Sequence, residues 1–234
     1  MKLKELEARI RTLEDIEEIK KLQRIYGYYL DNGMYEEVID LFSDDTESVE
    51  ITDHGVFLGK EGVKKMFWDI LGKGGAQSPP WGLHLVMQHQ GVVNVESNGR
   101  TAKGRWQGWM VGVTSQAGIP RQFWGHGIYE NEYVKEDGKW KFRKLYFNLT
   151  FRTPFEDGWL KTPVVGQAIN DPVKPDRPPT AYHPYPSGYV VPYHWENPVG
   201  GRRGSRIGKK GITNGNSIQN STKRQKISKK EELT

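Results

Sequence analysis

Two residues far apart in the sequence could together form a general base. Asp31 follows an apolar and aromatic segment at residues 13–30, and His84 lies among apolar residues at 82–87. A carboxylate that accepts a hydrogen bond from one imidazole nitrogen fixes the tautomer and raises the basicity of the other nitrogen. Each residue also has a plainer interpretation. Asp31 could be a solvated helix end, and His84 a structural histidine with a satisfied hydrogen bond.

A tyrosine close to Asp31 could assist this base. Tyr26 lies five residues before Asp31, which is about 140° further round a helix. It therefore reaches the same pocket only if the helix unwinds at Gly27. There its hydroxyl could hold a substrate oxygen or assist a leaving hydroxyl group. The alternative is that Tyr26 is an ordinary aromatic residue of the core.

Several further residues on predicted strands and turns are candidates for binding a substrate. His126 stands between two glycines, which would let a ligand approach the backbone closely. Glu50 points either into a pocket or to solvent, and we favour solvent slightly. By simple alternation Asn148 shares one face of the last strand with Arg152. His54 lies in a predicted turn and is expected at the surface. The substrate-binding candidates are Glu50, Trp106, His126 and Asn148.

Amphipathic helices are expected to position Asp31. Apolar residues spaced by three and four predict a long helix that ends near Asn32, a residue type typical of helix ends. Shorter helices are predicted at 34–42 and 59–71, with a strand pair at 48–58 between them. Three or four long antiparallel strands joined by hairpin turns follow. The segments are 83–95, which is a candidate strand pair, and 101–113, 123–135 and 140–151.

This order of elements predicts an α+β fold for residues 1–155. We expect a cone-shaped α+β barrel, in which a curved antiparallel sheet and the N-terminal helices enclose a pocket. Residues 156–200 are predicted to form an extended arm, because their prolines forbid long helices and central strands while their aromatic residues argue against a plain linker. The arm would pack on the domain or on a neighbouring subunit.

The charge of the chain is unevenly distributed. Residues 201–234 carry a formal charge of +8, which leaves −3 on the first 200 residues. We expect this basic tail to be disordered. Because the predicted domain is acidic and no stacking platform accompanies the tail, nucleic acid is not an expected partner.

The composition argues against several classes of protein. The sequence contains no run of eighteen apolar residues, so it predicts no transmembrane helix. The charged N-terminus lacks the apolar core of a signal peptide. The chain has no cysteine, which excludes disulfides and thiolate metal sites. His84 and His89 fall on opposite faces of a strand, so they do not predict a shared metal. No dinucleotide or phosphate-binding motif is present. We expect a cytoplasmic protein without a cofactor.

Several segments together resemble SnoaL-like domains of the nuclear-transport-factor-2-like superfamily. That family includes bile-acid 7α-dehydratase, scytalone dehydratase and hexachlorocyclohexane dehydrochlorinase. The resemblance covers roughly residues 8–155. It implies the cone-shaped fold, elimination without a cofactor, and a homo-oligomer, either a trimer or a dimer. The similar segments are residues 13–22, Tyr26, 30–35, 41–45, 59–63 and 129–142.

The resemblance also implies roles for single residues. Asp31 and His84 fall at the positions of the family's Asp–His pair, and Tyr26 falls at that of the catalytic tyrosine of the bile-acid enzyme. Two departures bear on the substrate. Glu50 stands where the bile-acid enzyme has a tyrosine, and the last-strand arginine of that enzyme is replaced near Asn148. The identity of the substrate therefore cannot be carried over.

The leading hypothesis is a cofactor-independent lyase of the dehydratase type. Its substrate would be a hydrophobic polycyclic or aromatic hydroxy or keto compound of polyketide or steroid type, bound in an apolar pocket with few polar groups. An isomerase or cyclase that uses the same pocket stays open. A non-catalytic small-molecule-binding or assembly domain is the alternative, because one fold can serve both purposes.

Overall fold

The chain folds as a curved six-stranded sheet with a long helix across its concave face. A computed structural model describes residues 3–75, 82–116, 119–164 and 172–201. No helix in these ranges is both long enough and apolar enough to cross a membrane. The predicted basic tail lies outside the described residues, apart from its first residue. In chain order the elements are α1 (Leu3–Asp31), α2 (Tyr35–Asp40), β1 (Ser48–Ile51), β2 (Gly55–Leu58), α3 (Gly59–Lys64), a π-helical segment (Lys65–Leu71), β3 (His84–Val95), β4 (Thr101–Gln116), β5 (Ile119–Glu136), β6 (Lys139–Pro154) and α4 (Gly158–Lys161).

The predicted α+β fold is confirmed. The strands are arranged in the order β2-β1-β6-β5-β4-β3, and β3 to β6 form a consecutive antiparallel series. The pairing of β1 with β6 is parallel, which the hairpin signals in the sequence do not indicate. This parallel pair joins the β1–β2 hairpin to the other four strands. The sheet is open, and β2 and β3 are its edge strands.

Helix α1 is fixed to the concave face of the sheet at its middle and at its last residue. At the middle, the Asp15 carboxylate accepts hydrogen bonds from Lys135 Nζ at 2.6 Å and from Trp140 Nε1 at 2.8 Å. At its last residue, Asp31 Oδ1 accepts one from the backbone N–H of Val86 at 2.7 Å. Apolar side chains of the helix and of the concave face form the core between these two points. The position of Asp31 is therefore set by the second half of the helix, between these two contacts.

One unpaired residue in β6 decides which side chains face the concave side. Gly127 pairs with Leu149 while His126 pairs with Phe151, so Thr150 has no partner on β5. An extra residue of this kind reverses the alternation of side chains. Arg152 therefore lies on the concave face, whereas Asn148 lies on the outer face. The expectation that Asn148 and Arg152 share a face is wrong.

The longer described part of the arm, residues 172–200, lies across the outer face of the chain's own sheet. It begins beside the edge strand β2 and crosses β1 and β6 to reach β4 and β3. The extended course agrees with the proline content of this segment. The successive contacts are Arg177 with Val56, Thr180 with Glu50, Tyr185 with Thr150, Val191 with Arg105, and His194 with Asn94.

Glu50 is buried beneath this arm. Only 2% of its surface is exposed. One carboxylate oxygen accepts a hydrogen bond from the Thr180 backbone N–H at 2.6 Å, and the other accepts one from the Thr180 hydroxyl at 2.7 Å. The expectation that favoured solvent for Glu50 is therefore wrong, because the arm covers a face that the alternation of β1 by itself leaves open.

The contact between Glu50 and Thr180 predicts a measurable loss of stability. Replacing Thr180 by Val removes the hydroxyl donor and leaves a buried carboxylate oxygen unpaired. We expect the free energy of unfolding to fall by about 1–3 kcal/mol, measured by urea denaturation followed by circular dichroism. The same substitution in a Glu50→Gln background should cost less, because a neutral amide pays less for losing a donor. An equal loss in both backgrounds would contradict the contact.

Candidate active site

Asp31 lies where the end of α1 meets the free edge of β3. Because its carboxylate accepts the Val86 N–H, it satisfies a backbone donor at the edge of the sheet. Burial raises the pKa of Asp31, and the hydrogen bond from Val86 opposes that shift. The carboxylate is only partly buried, so this end of α1 is reachable from outside.

His84 lies on the concave face of β3, two residues before Val86. Its ring packs near that of Phe123, with the centroids 6.5 Å apart. Burial lowers the pKa of His84, and the positive charge of Arg152 lowers it further. An imidazole that is neutral at pH 7 has a nitrogen free to accept a proton. His84 is therefore suited to act as a base.

The predicted hydrogen bond between Asp31 and His84 is not formed within the described residues. Asp31 contacts the backbone of β3 at Val86 instead of the imidazole ring. This differs from the predicted dyad because α1 ends beside the edge of the strand rather than over its face. Asp31 therefore constrains His84 through the strand that carries both Val86 and His84.

A buried ion pair stands on the same concave face as His84. Arg152 Nη2 donates a hydrogen bond to Asp53 Oδ2 at 2.5 Å, and Asp53 lies in the turn between β1 and β2. The Asp53 side chain is only 1% exposed. Burial alone would raise the pKa of Asp53, but the hydrogen bond from His54 and the charge of Arg152 outweigh it, and the pKa is lowered. The Asp53 carboxylate therefore stays ionised and holds the guanidinium in place.

His54 belongs to the same cluster, contrary to the expectation that it lies at the surface. Its Nδ1 is 3.1 Å from Asp53 Oδ1, and its side chain is 11% exposed. Sequence reasoning missed this group because Asp53, His54 and Gly55 are residue types common in any hairpin turn. It missed the inward direction of Arg152 because the unpaired Thr150 has no signature in the sequence.

Tyr26 and Trp106 are core residues on the concave side. Helix α1 continues without a break through Gly27, and the Tyr26 side chain is packed edge-on against Tyr129, with ring centroids 6.2 Å apart. Burial, together with nearby Tyr129 and Asp31, raises the pKa of Tyr26 well above its usual value. Trp106 Nε1 donates a hydrogen bond to the Tyr133 hydroxyl at 3.0 Å.

The remaining substrate-binding candidates lie on the outer face of the sheet. His126 Nδ1 is 3.1 Å from the Thr150 hydroxyl oxygen. Asn148 Nδ2 donates a hydrogen bond to the backbone carbonyl of Ala181 in the arm at 3.1 Å. Together with Glu50, these residues face away from His84 and Arg152. The structure does not bring them together with the predicted catalytic residues.

Two hollows are lined by predicted site residues, one by Asp31 and the other by Glu50. A groove of about 240 Å³ runs between the end of α1 and β3 and reaches Asp31. A larger hollow of about 360 Å³ lies on the outer face beside the arm, next to Glu50. The groove is the one that bears on the candidate site, because it opens at the carboxylate that holds β3. The groove is lined by Arg24, Gly27, Tyr28, Asp31, Val86, Met87 and Gln88.

The contact between Asp31 and Val86 predicts different outcomes for two substitutions. Asp31→Ala removes the acceptor of a backbone donor, and we expect about 1–3 kcal/mol lower stability and faster hydrogen exchange at the Val86 amide. Asp31→Asn retains a side-chain oxygen at the same position and should lose less of both. Amide exchange followed by NMR measures the effect. Unchanged protection of Val86 in Asp31→Ala would refute the anchoring role.

The comparisons with known proteins place the chain in a family. A family model described as a SnoaL-like domain matches residues 11–146. No curated protein matches the sequence. Among solved structures, a candidate scytalone dehydratase from Novosphingobium aromaticivorans DSM 12444 is 20% identical, with 63% of this chain and 91% of that chain covered and a TM-score of 0.53.

Two further solved structures have similar scores. A hexachlorocyclohexane dehydrochlorinase, LinA type 2, is 19% identical, with 63% of this chain and 93% of that chain covered and a TM-score of 0.54. A candidate aromatic ring hydroxylase from Novosphingobium aromaticivorans is also 19% identical, with 62% and 96% covered and a TM-score of 0.51. At such identities the likeness establishes the fold and leaves the chemistry to be argued from the residues.

Proposed function

This chain belongs to the SnoaL-like domain family, and we propose that it is a cofactor-independent lyase that acts on a hydrophobic hydroxy or keto compound. The observation that carries the proposal is that His84 and Arg152 share the concave face of the sheet. The first is a neutral imidazole and the second a cation held in place by a buried carboxylate. A general base can form an enolate by removing a proton, and a fixed positive charge beside it can stabilise the negative charge of that enolate.

In the proposed reaction His84 removes a proton from a carbon next to a carbonyl group. The electrons of the broken C–H bond move toward the carbonyl oxygen, where negative charge develops. Arg152 stabilises that charge, and Asp53 keeps the guanidinium oriented before the substrate arrives. The enolate then expels a hydroxyl group, or another small leaving group, from the adjacent carbon.

The site residues that the sequence predicts take different parts in this proposal. Asp31 is a positioning residue, because it holds the backbone of β3 two residues from His84. Tyr26 is assigned no contact with substrate, since its side chain is enclosed in the core. The substrate-binding role is proposed for the groove and for the concave surface near Phe123, rather than for the outer-face candidates.

The solved structures with a similar fold support an elimination. One is described as a candidate scytalone dehydratase and another as a hexachlorocyclohexane dehydrochlorinase, and both names denote loss of a small group from adjacent carbons. An elimination of this kind needs a base and a stabilised anion but no metal or organic cofactor. Oligomerisation to a trimer or dimer and a cytoplasmic location are part of the proposal.

A second candidate is a non-catalytic domain that binds small molecules. It is favoured by the missing hydrogen bond between Asp31 and His84, because a base without an orienting carboxylate is less well prepared for catalysis. An isomerase or cyclase would use the same proton abstraction without a leaving group. The experiments below separate these candidates by asking first for proton abstraction and then for elimination.

Replacing the base should abolish turnover. We expect His84→Ala to lower kcat by about 10²–10⁴-fold, with the circular dichroism spectrum unchanged. A suitable probe is 3-hydroxy-α-tetralone, a bicyclic β-hydroxy ketone whose dehydration gives the fluorescent product 1-naphthol. His89→Ala, an exposed histidine on the same strand, is the matched control and should retain activity. Unchanged turnover in folded His84→Ala would rule out the assigned base.

The surroundings of His84 also predict the pH dependence of the reaction. Because its pKa is lowered from the usual 6.5, activity should persist below pH 6.5 and fall only at more acidic pH. Arg152→Gln removes the nearby charge, so the acidic limb of kcat/KM should move upward toward pH 6.5 as the overall rate falls. The measurement is kcat/KM from pH 4.5 to 8. An acidic limb that does not move would mean that Arg152 has no electrostatic influence on the base.

A further inference from the structure

We propose that His54 is a second proton-transfer residue of this site and that it donates a proton to the leaving oxygen. The inference rests on the proposed lyase function and extends it to the second half of the reaction. It concerns a residue in the turn between β1 and β2 that neither the family's Asp–His pair nor the sequence analysis assigns to the site.

The geometry places His54 on the same carboxylate as Arg152. Asp53 Oδ1 contacts His54 Nδ1 at 3.1 Å, and Asp53 Oδ2 accepts the hydrogen bond from Arg152 Nη2 at 2.5 Å. A single buried carboxylate therefore joins an imidazole to the guanidinium that faces His84. The Arg152 side chain is 18% exposed, and the side chains of His54 and Asp53 are 11% and 1% exposed.

The hydrogen-bond chemistry defines which nitrogen of His54 is available. An ionised carboxylate only accepts hydrogen bonds, so Nδ1 must carry the hydrogen that Asp53 receives. In the described ranges Nε2 has no hydrogen-bond partner. This is the arrangement in which a carboxylate orients an imidazole and leaves its other nitrogen for proton transfer.

The two imidazoles have opposite electrostatic surroundings. His84 faces the cation Arg152, whereas His54 contacts the anion Asp53. Two imidazoles that are held by different partners can take different roles in proton transfer. The proton from carbon would go to His84, and the proton for the leaving group would come from His54.

The step balances without any further reagent. His84 gains the proton as the C–H bond breaks, and the electron pair of that bond ends in the new carbon–carbon double bond. For this step His54 begins as the imidazolium, with a hydrogen on each ring nitrogen. The electron pair of the breaking C–O bond stays on oxygen, which takes the proton from His54 Nε2 and leaves as water. Exchange of protons with solvent then returns both imidazoles to their starting states.

A merely structural role for His54 would consist of the hydrogen bond to Asp53. The substitution His54→Asn separates this structural role from the proposed role as a proton donor. The asparagine amide nitrogen can occupy the position of Nδ1 and keep the hydrogen bond to Asp53. It supplies nothing at the position of Nε2. The variant therefore preserves the support of Arg152 while removing the proposed acid.

Two related probes test the two halves of the reaction. Incubation of α-tetralone in D₂O reports only proton abstraction, because this ketone has no leaving group, and mass spectrometry measures deuterium uptake. Loss of water from 3-hydroxy-α-tetralone reports the complete elimination. We expect His54→Asn to keep the exchange rate of the wild type and to lose elimination by about 10²–10⁴-fold. His84→Ala should lose both activities.

Each outcome bears on a different statement. Wild-type elimination by His54→Asn would overturn the acid role, and equal loss of exchange and elimination would show that His54 is only a support for Asp53. Wild-type protein that catalyses neither reaction would instead refute the proposed lyase function, and with it this inference. His89→Asn is the matched control, with the unfolding midpoint of every variant measured to verify the fold.

Discussion

The ion pair between Arg152 and Asp53 is the interaction on which the candidate site depends. It joins the last strand of the sheet to the turn between β1 and β2, two parts of the chain that are distant in sequence. Removing one partner of a buried ion pair leaves an uncompensated charge and costs about 3–5 kcal/mol. The pair therefore fixes the position of a cation on the same concave face as His84.

The position of α1 on the sheet defines the part of the concave face that the helix covers. Because Asp15 and Asp31 contact the sheet at the middle and at the last residue of the helix, the second half of the helix covers the concave face and its end stays beside β3. The same contact at Val86 satisfies part of the exposed edge of β3, which would otherwise be available to pair with another chain. The Asp31 carboxylate thus both positions the strand that carries His84 and protects the edge of that strand.

The arm gives the outer face a different character. Glu50 and Asn148 have polar side chains that suit a binding site, yet both contact the arm and so hold the chain to itself. Arg105 contributes to the same attachment, with its guanidinium 4.4 Å from the centroid of the Tyr193 ring. These polar groups on the outer face therefore attach the arm to the sheet.

Local patterns in the sequence predicted the helices and strands. Helical periodicity located α1 and its end at Asp31, and alternation located the long strand that carries His84, because both patterns depend on neighbours within a few residues. The family resemblance is drawn from the same segments. Three features depend on the folded structure instead. The Arg152 side chain lies on the concave face, Asp53 contacts both Arg152 and His54, and Glu50 is buried. An unpaired residue such as Thr150 reverses a period of two without any change in composition, and the partner of Glu50 lies 130 residues away, beyond the reach of any local pattern.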